Sequence, residues 1–238
     1  MKKAFLVELT VLTGYIKQLL PIAAITGVFV AAGMGTTVAL AGIFVCMFCM
    51  MGSMAASAYD DASNWGAYRL TLPLSRRDVV LGRYAAVVVM GALGIAMGAL
   101  VQLLAATVGA LGILPSEIGG MFVMSPDDVL ASIFGVFFCL LMGMTAASLA
   151  IPFYFKFGNT KATQFLPMAV MLLYALVIFI FAQMSDRIDV VPMLSQFLAW
   201  VETPAGVATC AVVMAAVAVL ILFVSAAVSM RIYARRDL

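Results

Sequence analysis

Long apolar stretches alternate with short polar ones along the whole chain. A helix needs about 20 mainly apolar residues to cross a hydrocarbon core of roughly 30 Å, and the chain has room for six such helices. Glycine, proline and charged residues separate them. The predicted spans cover about residues 18–32, 36–57, 79–114, 129–152, 165–183 and 205–230. The sequence therefore predicts an all-α polytopic membrane protein with one transmembrane domain over residues 1–238.

The residues before the first span have a different pattern. An apolar residue recurs every three or four positions, while Lys3, Glu8 and Thr10 lie on the other face of the helix. The apolar stripe comprises Phe5, Leu9, Leu12, Ile16 and Leu19. This pattern favours an interfacial helix over residues 2–17 that lies along the inner membrane surface. The alternative is a cytoplasmic extension of the first span.

The start of the third helix has its own signal. Ser75, followed three residues later by Asp78, approximates a capping box, and Pro73 just before it cannot continue an earlier helix. We therefore expect the third helix to begin at Arg76, in the cytoplasm, before it enters the membrane.

The basic residues predict the orientation of the chain. Lysine and arginine are retained on the cytoplasmic side of short loops, and with both termini inside, every basic residue except Arg187 faces the cytoplasm. The composition agrees with a membrane protein, because 66% of the residues are hydrophobic and only 10% are charged. The net charge of +2 gives no reason to expect nucleic acid as a partner.

Several kinds of chemistry are disfavoured. The chain has no histidine, the commonest general base and metal ligand. Its four cysteines lie in apolar runs, where a disulfide framework is not expected. We also expect the six spans to contain no Asp, Glu, Lys or Arg, which argues against a proton-driven or sodium-driven pump and against an intramembrane protease. No catalytic residue, cofactor site or metal site is predicted for this chain.

Two groups of residues in the spans are open to two interpretations. Gly91, Gly94 and Gly98 include a Gly-x-x-x-Gly step, which is typical of close helix packing. Four methionines of the second span could line an adaptable cavity for apolar substrates, or they could simply pack against neighbouring helices. These methionines are Met47, Met50, Met51 and Met54.

The inner loop over residues 58–78 is the most polar part of the chain, and it combines acids, aromatics and a basic cluster. Such a loop could dock on a soluble partner through aromatic anchors surrounded by charge. The candidate docking residues are Asp61, Ser63, Asn64, Trp65, Tyr68 and Arg69. The alternative is a snorkelling anchor at the inner membrane face, with Arg76, Arg77 and Arg83 facing lipid.

This loop resembles the signature of type-2 ATP-binding-cassette export permeases. The matching pattern is acidic, then aromatic, then Leu-Pro-Leu-Ser-Arg, then a basic residue and a tyrosine that enter the third helix. The residues that carry it are Asp60, Asp61, Trp65, Tyr68, Leu72-Pro73-Leu74-Ser75-Arg76-Arg77-Asp78 and Gly82-Arg83-Tyr84. The closing stretch from Ser229 to Leu238 resembles the tail of the same family.

The resemblance implies a division of labour between chains. A coupling helix at about residues 61–72 would sit in a groove of a separate ATP-binding-cassette ATPase subunit, which would bind ATP and Mg²⁺. This chain has no Gly-x-x-x-x-Gly-Lys-Ser/Thr loop, so no cofactor is expected on it. Family permeases work in pairs, which implies a second permease copy or a paralogue.

We therefore predict the permease subunit of a bacterial ATP-driven exporter in the cytoplasmic membrane, in contact with membrane lipid and with both termini in the cytoplasm. The apolar, methionine-rich spans favour a hydrophobic or amphipathic substrate. The alternative is a non-transporting sensory or assembly subunit whose inner loop docks another soluble partner.

Overall fold

Six helices of the chain are long and apolar enough to cross a membrane. The computed structural model describes residues 2–62, 75–111, 119–158, 160–185, 196–197 and 199–234. Within these ranges the chain is helical and contains no strand. The helices are α1 (Lys2–Met34), α2 (Leu40–Ala62), α3 (Arg76–Ala110), α4 (Pro126–Phe157), the short α5 (Lys161–Gln164), α6 (Leu166–Ser185) and α7 (Pro204–Ala234). The expected all-α membrane architecture is thus confirmed.

The first helix differs from its prediction. Residues 2–17 and the first span form one unbroken helix, α1, which continues through Pro21 to Met34. The expected boundary after Lys17 is absent, and the helix matches the alternative in which the amino-terminal segment extends the first span. Its position along the membrane surface stays a prediction.

Helix caps explain where α3 and α4 begin. The Ser75 hydroxyl accepts a hydrogen bond from the backbone N–H of Asp78 at 3.1 Å, so α3 starts at Arg76 as predicted. A complete capping box of Ser125 and Asp128 starts α4 at Pro126, three residues before the predicted start of the fourth span. Proline suits this first position because the missing N–H would have no helical partner there.

Helix α2 is the centre of the bundle. It packs against α1, α3 and α4, while α7 packs on α4 and α3, and α6 packs on α4. About 72% of the apolar stretch of α2 is buried, against 17% for the stretches in α1 and α6. One apolar core joins α1, α2 and α3, and a second joins α2, α3, α4 and α7. The poorly buried helices therefore supply most of the surface that lipid or another chain can cover.

Glycines bring α2 and α3 into backbone contact. A Cβ atom added at Gly98 would lie 2.7 Å from the carbonyl oxygen of Ala41, and one added at Gly94 would lie 2.9 Å from the Cα of Val45. Any larger residue would push the helix backbones apart. The predicted packing role of these glycines is therefore confirmed.

Candidate functional site

A buried arginine joins three helices at the end of the bundle where the inner loop begins and ends. The guanidinium of Arg83 on α3 donates from Nε to Glu8 Oε2 at 3.1 Å and from Nη2 to Glu8 Oε1 at 3.2 Å. The same Nη2 reaches Asp60 Oδ2 at 2.6 Å, and Nη1 donates to the Ser57 hydroxyl at 3.2 Å. We call Glu8, Ser57, Asp60 and Arg83 the ion cluster.

The ion cluster is almost completely shielded from solvent. The side chains of Arg83, Glu8 and Asp60 are 2%, 5% and 19% exposed. Charges at this depth are costly unless they are paired and hydrogen-bonded, and Arg83 meets both conditions through a forked guanidinium that binds two carboxylates. Breaking one such pair would leave an uncompensated buried charge, so the ion cluster favours the arrangement in which these three helices meet.

Two predictions are corrected by this geometry. Arg83 does not face lipid as an anchor, because its side chain lies inside the protein against α1 and α2. The candidate spans are also not free of charge, since Asp60 lies in the second and Arg83 in the third. Charged residues within membrane helices usually face the bundle interior and pair with one another, as they do here.

Aromatic contacts extend the ion cluster to α4 and α7. The Arg83 guanidinium carbon lies 5.6 Å from the ring centroid of Phe155 on α4, within the range of a cation–π interaction. The Phe155 ring in turn lies 5.0 Å from that of Tyr233 on α7. Five helices therefore meet around one arginine.

The other two predicted anchors lie at the surface. Arg76 is exposed and donates from Nη1 to the carbonyl oxygens of Tyr233 and Ala234, each at 3.2 Å. It thus binds carbonyl groups in the last turn of α7, and the last turn of a helix is where carbonyls commonly need such a donor. Arg77 is exposed as well. The contact of Arg76 links the first turn of α3 to the last turn of α7.

The predicted docking residues are not all within the described structure. Ser63, Asn64, Trp65, Tyr68 and Arg69 lie outside the described residues, and Asp61 is described only as part of the backbone of α2. The structure does describe both ends of their loop, where α2 ends at Ala62 and α3 begins at Arg76. Asp60 and Arg83 tie these two ends together, so their pair lies at the base of the predicted coupling loop.

A chain of hydroxyl groups connects α3, α7 and α4 deeper in the bundle. Pro152 has no N–H, so the carbonyl of Ser148 four residues earlier lacks its helical donor. The Ser225 hydroxyl of α7 donates to that carbonyl. Tyr84 lies 2.6 Å from the Ser225 hydroxyl and 2.8 Å from that of Ser229.

The donors in this chain can be assigned. Because Ser225 uses its proton on the Ser148 carbonyl, it accepts from Tyr84, and Tyr84 accepts from Ser229. Polar groups inside a membrane protein need partners of this kind, since lipid supplies none. We call this chain, from Ser229 through Tyr84 and Ser225 to Ser148, the hydroxyl relay. Tyr84 and Ser229 belong to the two sequence stretches that carry the family resemblance.

The methionines of α2 are all half-buried. Met47 and Met51 pack against the apolar core between α1, α2 and α3, as the packing interpretation expects. Two described grooves, one between α4 and α7 and one lined mainly by α3 and α4, are not lined by any of the four methionines. For Met50 and Met54 the role in a cavity stays a prediction.

The partners of Arg83 were not identified from the sequence. The sequence pattern puts Glu8 on the polar face of an interfacial helix, and it offers Asp60 as part of the inner loop or as half of an aspartyl dyad that has no second member. The available signal is the position of the charges: each of three neighbouring apolar helices carries charged residues near the same end, with both signs represented. Such residues are expected to pair inside a membrane protein.

Comparison of the sequence with known protein families gives a match that spans the ion cluster, the hydroxyl relay and both ends of the inner loop. A family model described as ABC-2 family transporter protein matches residues 5–234. Neither the curated proteins nor the solved structures contain a significant match.

Proposed function

We propose, from the premise that the chain belongs to the ABC-2 transporter family, that it is the permease subunit of a bacterial ATP-driven exporter. The family is one of multi-pass membrane transport proteins and implies an ATP-binding-cassette ATPase as the partner. That partner would bind ATP and Mg²⁺. The permease would respond to ATP binding and hydrolysis through its inner loop.

The ion cluster is the observation that carries this proposal. A loop that transmits force must be attached rigidly to the helices that move, and the pair of Asp60 and Arg83 joins α2 and α3 where they enter the loop. Glu8 adds α1 to the same unit. A displacement of residues 63–74 by the ATPase would therefore move α1, α2 and α3 together.

Helices α4 and α7 form the second unit of the proposed movement. α7 packs mainly on α4, and α2 contacts both groups because it is the centre of the bundle. Rocking of α1–α3 against α4 and α7, in each of two permease copies, would alternate between inward-open and outward-open packing. A hydrophobic or amphipathic substrate suits the apolar surfaces between these helices.

The orientation of the chain in the membrane is supported by which helix ends lie on the same side of the bundle. Arg76 contacts the end of α7, and Arg83 contacts Phe155 near the end of α4, so the start of α3 and the ends of α4 and α7 share one side of the bundle. Arg76, Arg77, Lys156 and Arg231 lie on these segments. The excess of basic residues supports a cytoplasmic location for this side and for both termini.

A pull-down from mild detergent tests the proposal. The tagged chain is expressed in its native host, and any copurified ATP-binding-cassette ATPase is quantified together with ATP hydrolysis. Trp65→Ala and Tyr68→Ala should lose the ATPase while the permease still inserts, because truncating an aromatic anchor commonly costs about 2 kcal/mol or more, roughly thirtyfold in affinity. Trp200→Ala is the matched control, since Trp200 is the other tryptophan and lies beyond α6.

The outcomes are distinct. Loss of the ATPase in the two loop variants, with normal binding in the control, supports a coupling role for residues 61–72. Normal binding in both loop variants contradicts it. A permease that copurifies with a different soluble partner, and with no ATPase, favours the sensory or assembly function instead.

A further inference from the structure

An apolar groove runs between α4 and α7 along the side of the helix bundle. It has a volume of about 550 Å³ and is lined by α4 between Ser148 and Phe157 and by α7 between Leu220 and Ile232. This volume lies within the range of roughly 300–1,000 Å³ that is typical of small-molecule sites. The groove belongs to neither the ion cluster nor the predicted coupling loop.

The walls of the groove suit a hydrocarbon chain. Leu149 and Phe153 of α4 and Val224 and Val228 of α7 line it, and each of these side chains is exposed. The carbonyl of Ser148 that Pro152 leaves without a helical donor is already bonded to Ser225. The described wall therefore offers an acyl chain a largely apolar surface in which this backbone polar group is satisfied.

One end of the groove is charged. Lys156 is the only charged side chain among the described lining residues, and it lies in the last turn of α4. Eight residues separate it from Ser148, or about 12 Å along the helix axis. Half of a hydrocarbon core of roughly 30 Å is about 15 Å, so the groove extends over nearly one leaflet.

We propose that this groove is a binding site for an anionic phospholipid of the leaflet on the Lys156 side. Its acyl chain lies between α4 and α7, and its phosphate meets the ammonium group of Lys156. Charge complementarity at Lys156 selects this occupant, because a basic residue near the membrane surface attracts anionic headgroups. The site is formed by α4 and α7, the two helices against which α1–α3 rock in the proposed movement.

Photo-crosslinking in vesicles tests the assignment. The purified chain is reconstituted in phosphatidylcholine with a minor fraction of phosphatidylglycerol that carries a photoactivatable group on its acyl chain, and crosslinked peptides are identified by mass spectrometry. Crosslinks should map to the groove-lining segments of α4 and α7. They should exceed those from equally labelled phosphatidylcholine by about fivefold, the contribution expected of one basic residue.

Two variants separate the headgroup from the acyl chain. Lys156→Gln should remove the preference for phosphatidylglycerol, and Val224→Trp should reduce crosslinks from both lipids by filling the groove. Lys161→Gln and Val212→Trp are the controls, because both residues are exposed and neither lines the groove. Glycerol 3-phosphate should not compete, since it lacks the acyl chain.

Several results would overturn the assignment: equal labelling by the two lipids, an unchanged preference in Lys156→Gln, or competition by glycerol 3-phosphate. The experiment contains no ATPase, so it does not depend on the pull-down result. A permease that binds phosphatidylglycerol but no ATPase would contradict the proposed function and leave the lipid site intact.

Discussion

Arg83 of α3 holds Glu8 of α1 through two parallel hydrogen bonds of 3.1 and 3.2 Å. The two residues are separated by 75 positions in the chain, and both side chains are buried. Because Glu8 lies in the first third of α1, this contact holds the amino-terminal part of that helix against the bundle. The base of the proposed coupling loop is thereby joined to a helix that does not itself border the loop.

Arg83→Met should strongly destabilise the protein. The substitution leaves Glu8 and Asp60 buried without their shared cation, and breaking buried ion pairs costs about 3–5 kcal/mol. Arg83→Lys should lie between the wild type and Arg83→Met, since lysine keeps the charge but cannot bind both carboxylates with a planar fork. Thermal unfolding of the detergent-solubilised chain measures the loss. Arg77→Met is the control for an exposed arginine, and equal stability of Arg77→Met and Arg83→Met would contradict the structural role of the ion cluster.

Two buried serines should respond differently to alanine. Ser225→Ala removes the donor to the Ser148 carbonyl and the acceptor of Tyr84, which should cost about 1–3 kcal/mol. Ser148→Ala should change stability by less than about 0.5 kcal/mol, because its hydroxyl has no hydrogen-bond partner among the described residues. Unfolding measurements on both variants give the comparison.

Pro152→Ala tests the reason for the hydroxyl relay. The alanine N–H can bond the Ser148 carbonyl within α4, so Ser225→Ala should cost less in the Pro152→Ala background than in the wild type. If the two substitutions are strictly additive, Ser225 does not replace the donor that proline removes.

Gly98→Ala should separate α2 from α3. The added Cβ would meet the backbone of Ala41, which cannot move aside as a flexible side chain could, so a loss of about 1–3 kcal/mol is expected. Gly14→Ala is the matched control, because nothing lies within 4 Å of its added Cβ and a helical glycine gains up to about 1 kcal/mol on change to alanine. Opposite shifts in unfolding temperature would agree with the structure, and a neutral Gly98→Ala would not.

Arg76→Gln should loosen the end of α7. The substitution releases the carbonyl groups of Tyr233 and Ala234, so amide hydrogen exchange in the last turn of α7 should become faster while the rest of the helix keeps its protection. Arg77→Gln should leave exchange there unchanged. Equal exchange rates in the two variants would show that the contact of Arg76 does not stabilise this turn.

Local patterns predicted the helices well where their signals lie within a few residues. The start of α3 was read from Ser75 and Asp78, and the close approach of α2 and α3 from the glycine spacing. The pattern predicts a boundary after Lys17 that α1 does not have, because the polar face around Glu8 resembles a surface in contact with water. Glu8 instead faces Arg83, and no local pattern shows that a partner from another helix will cover it.

The sequence by itself determined that this protein is an all-α membrane protein with six spans and a polar loop over residues 58–78, because apolar length and charge distribution act locally along the chain. Its motifs also pointed to the family that residues 5–234 match. Only the tertiary structure decided which charges are paired and which backbone carbonyl Ser225 bonds. The physical reason is that desolvation and hydrogen bonding depend on neighbours from other helices, and three-dimensional packing alone places Arg83 between Glu8 and Asp60.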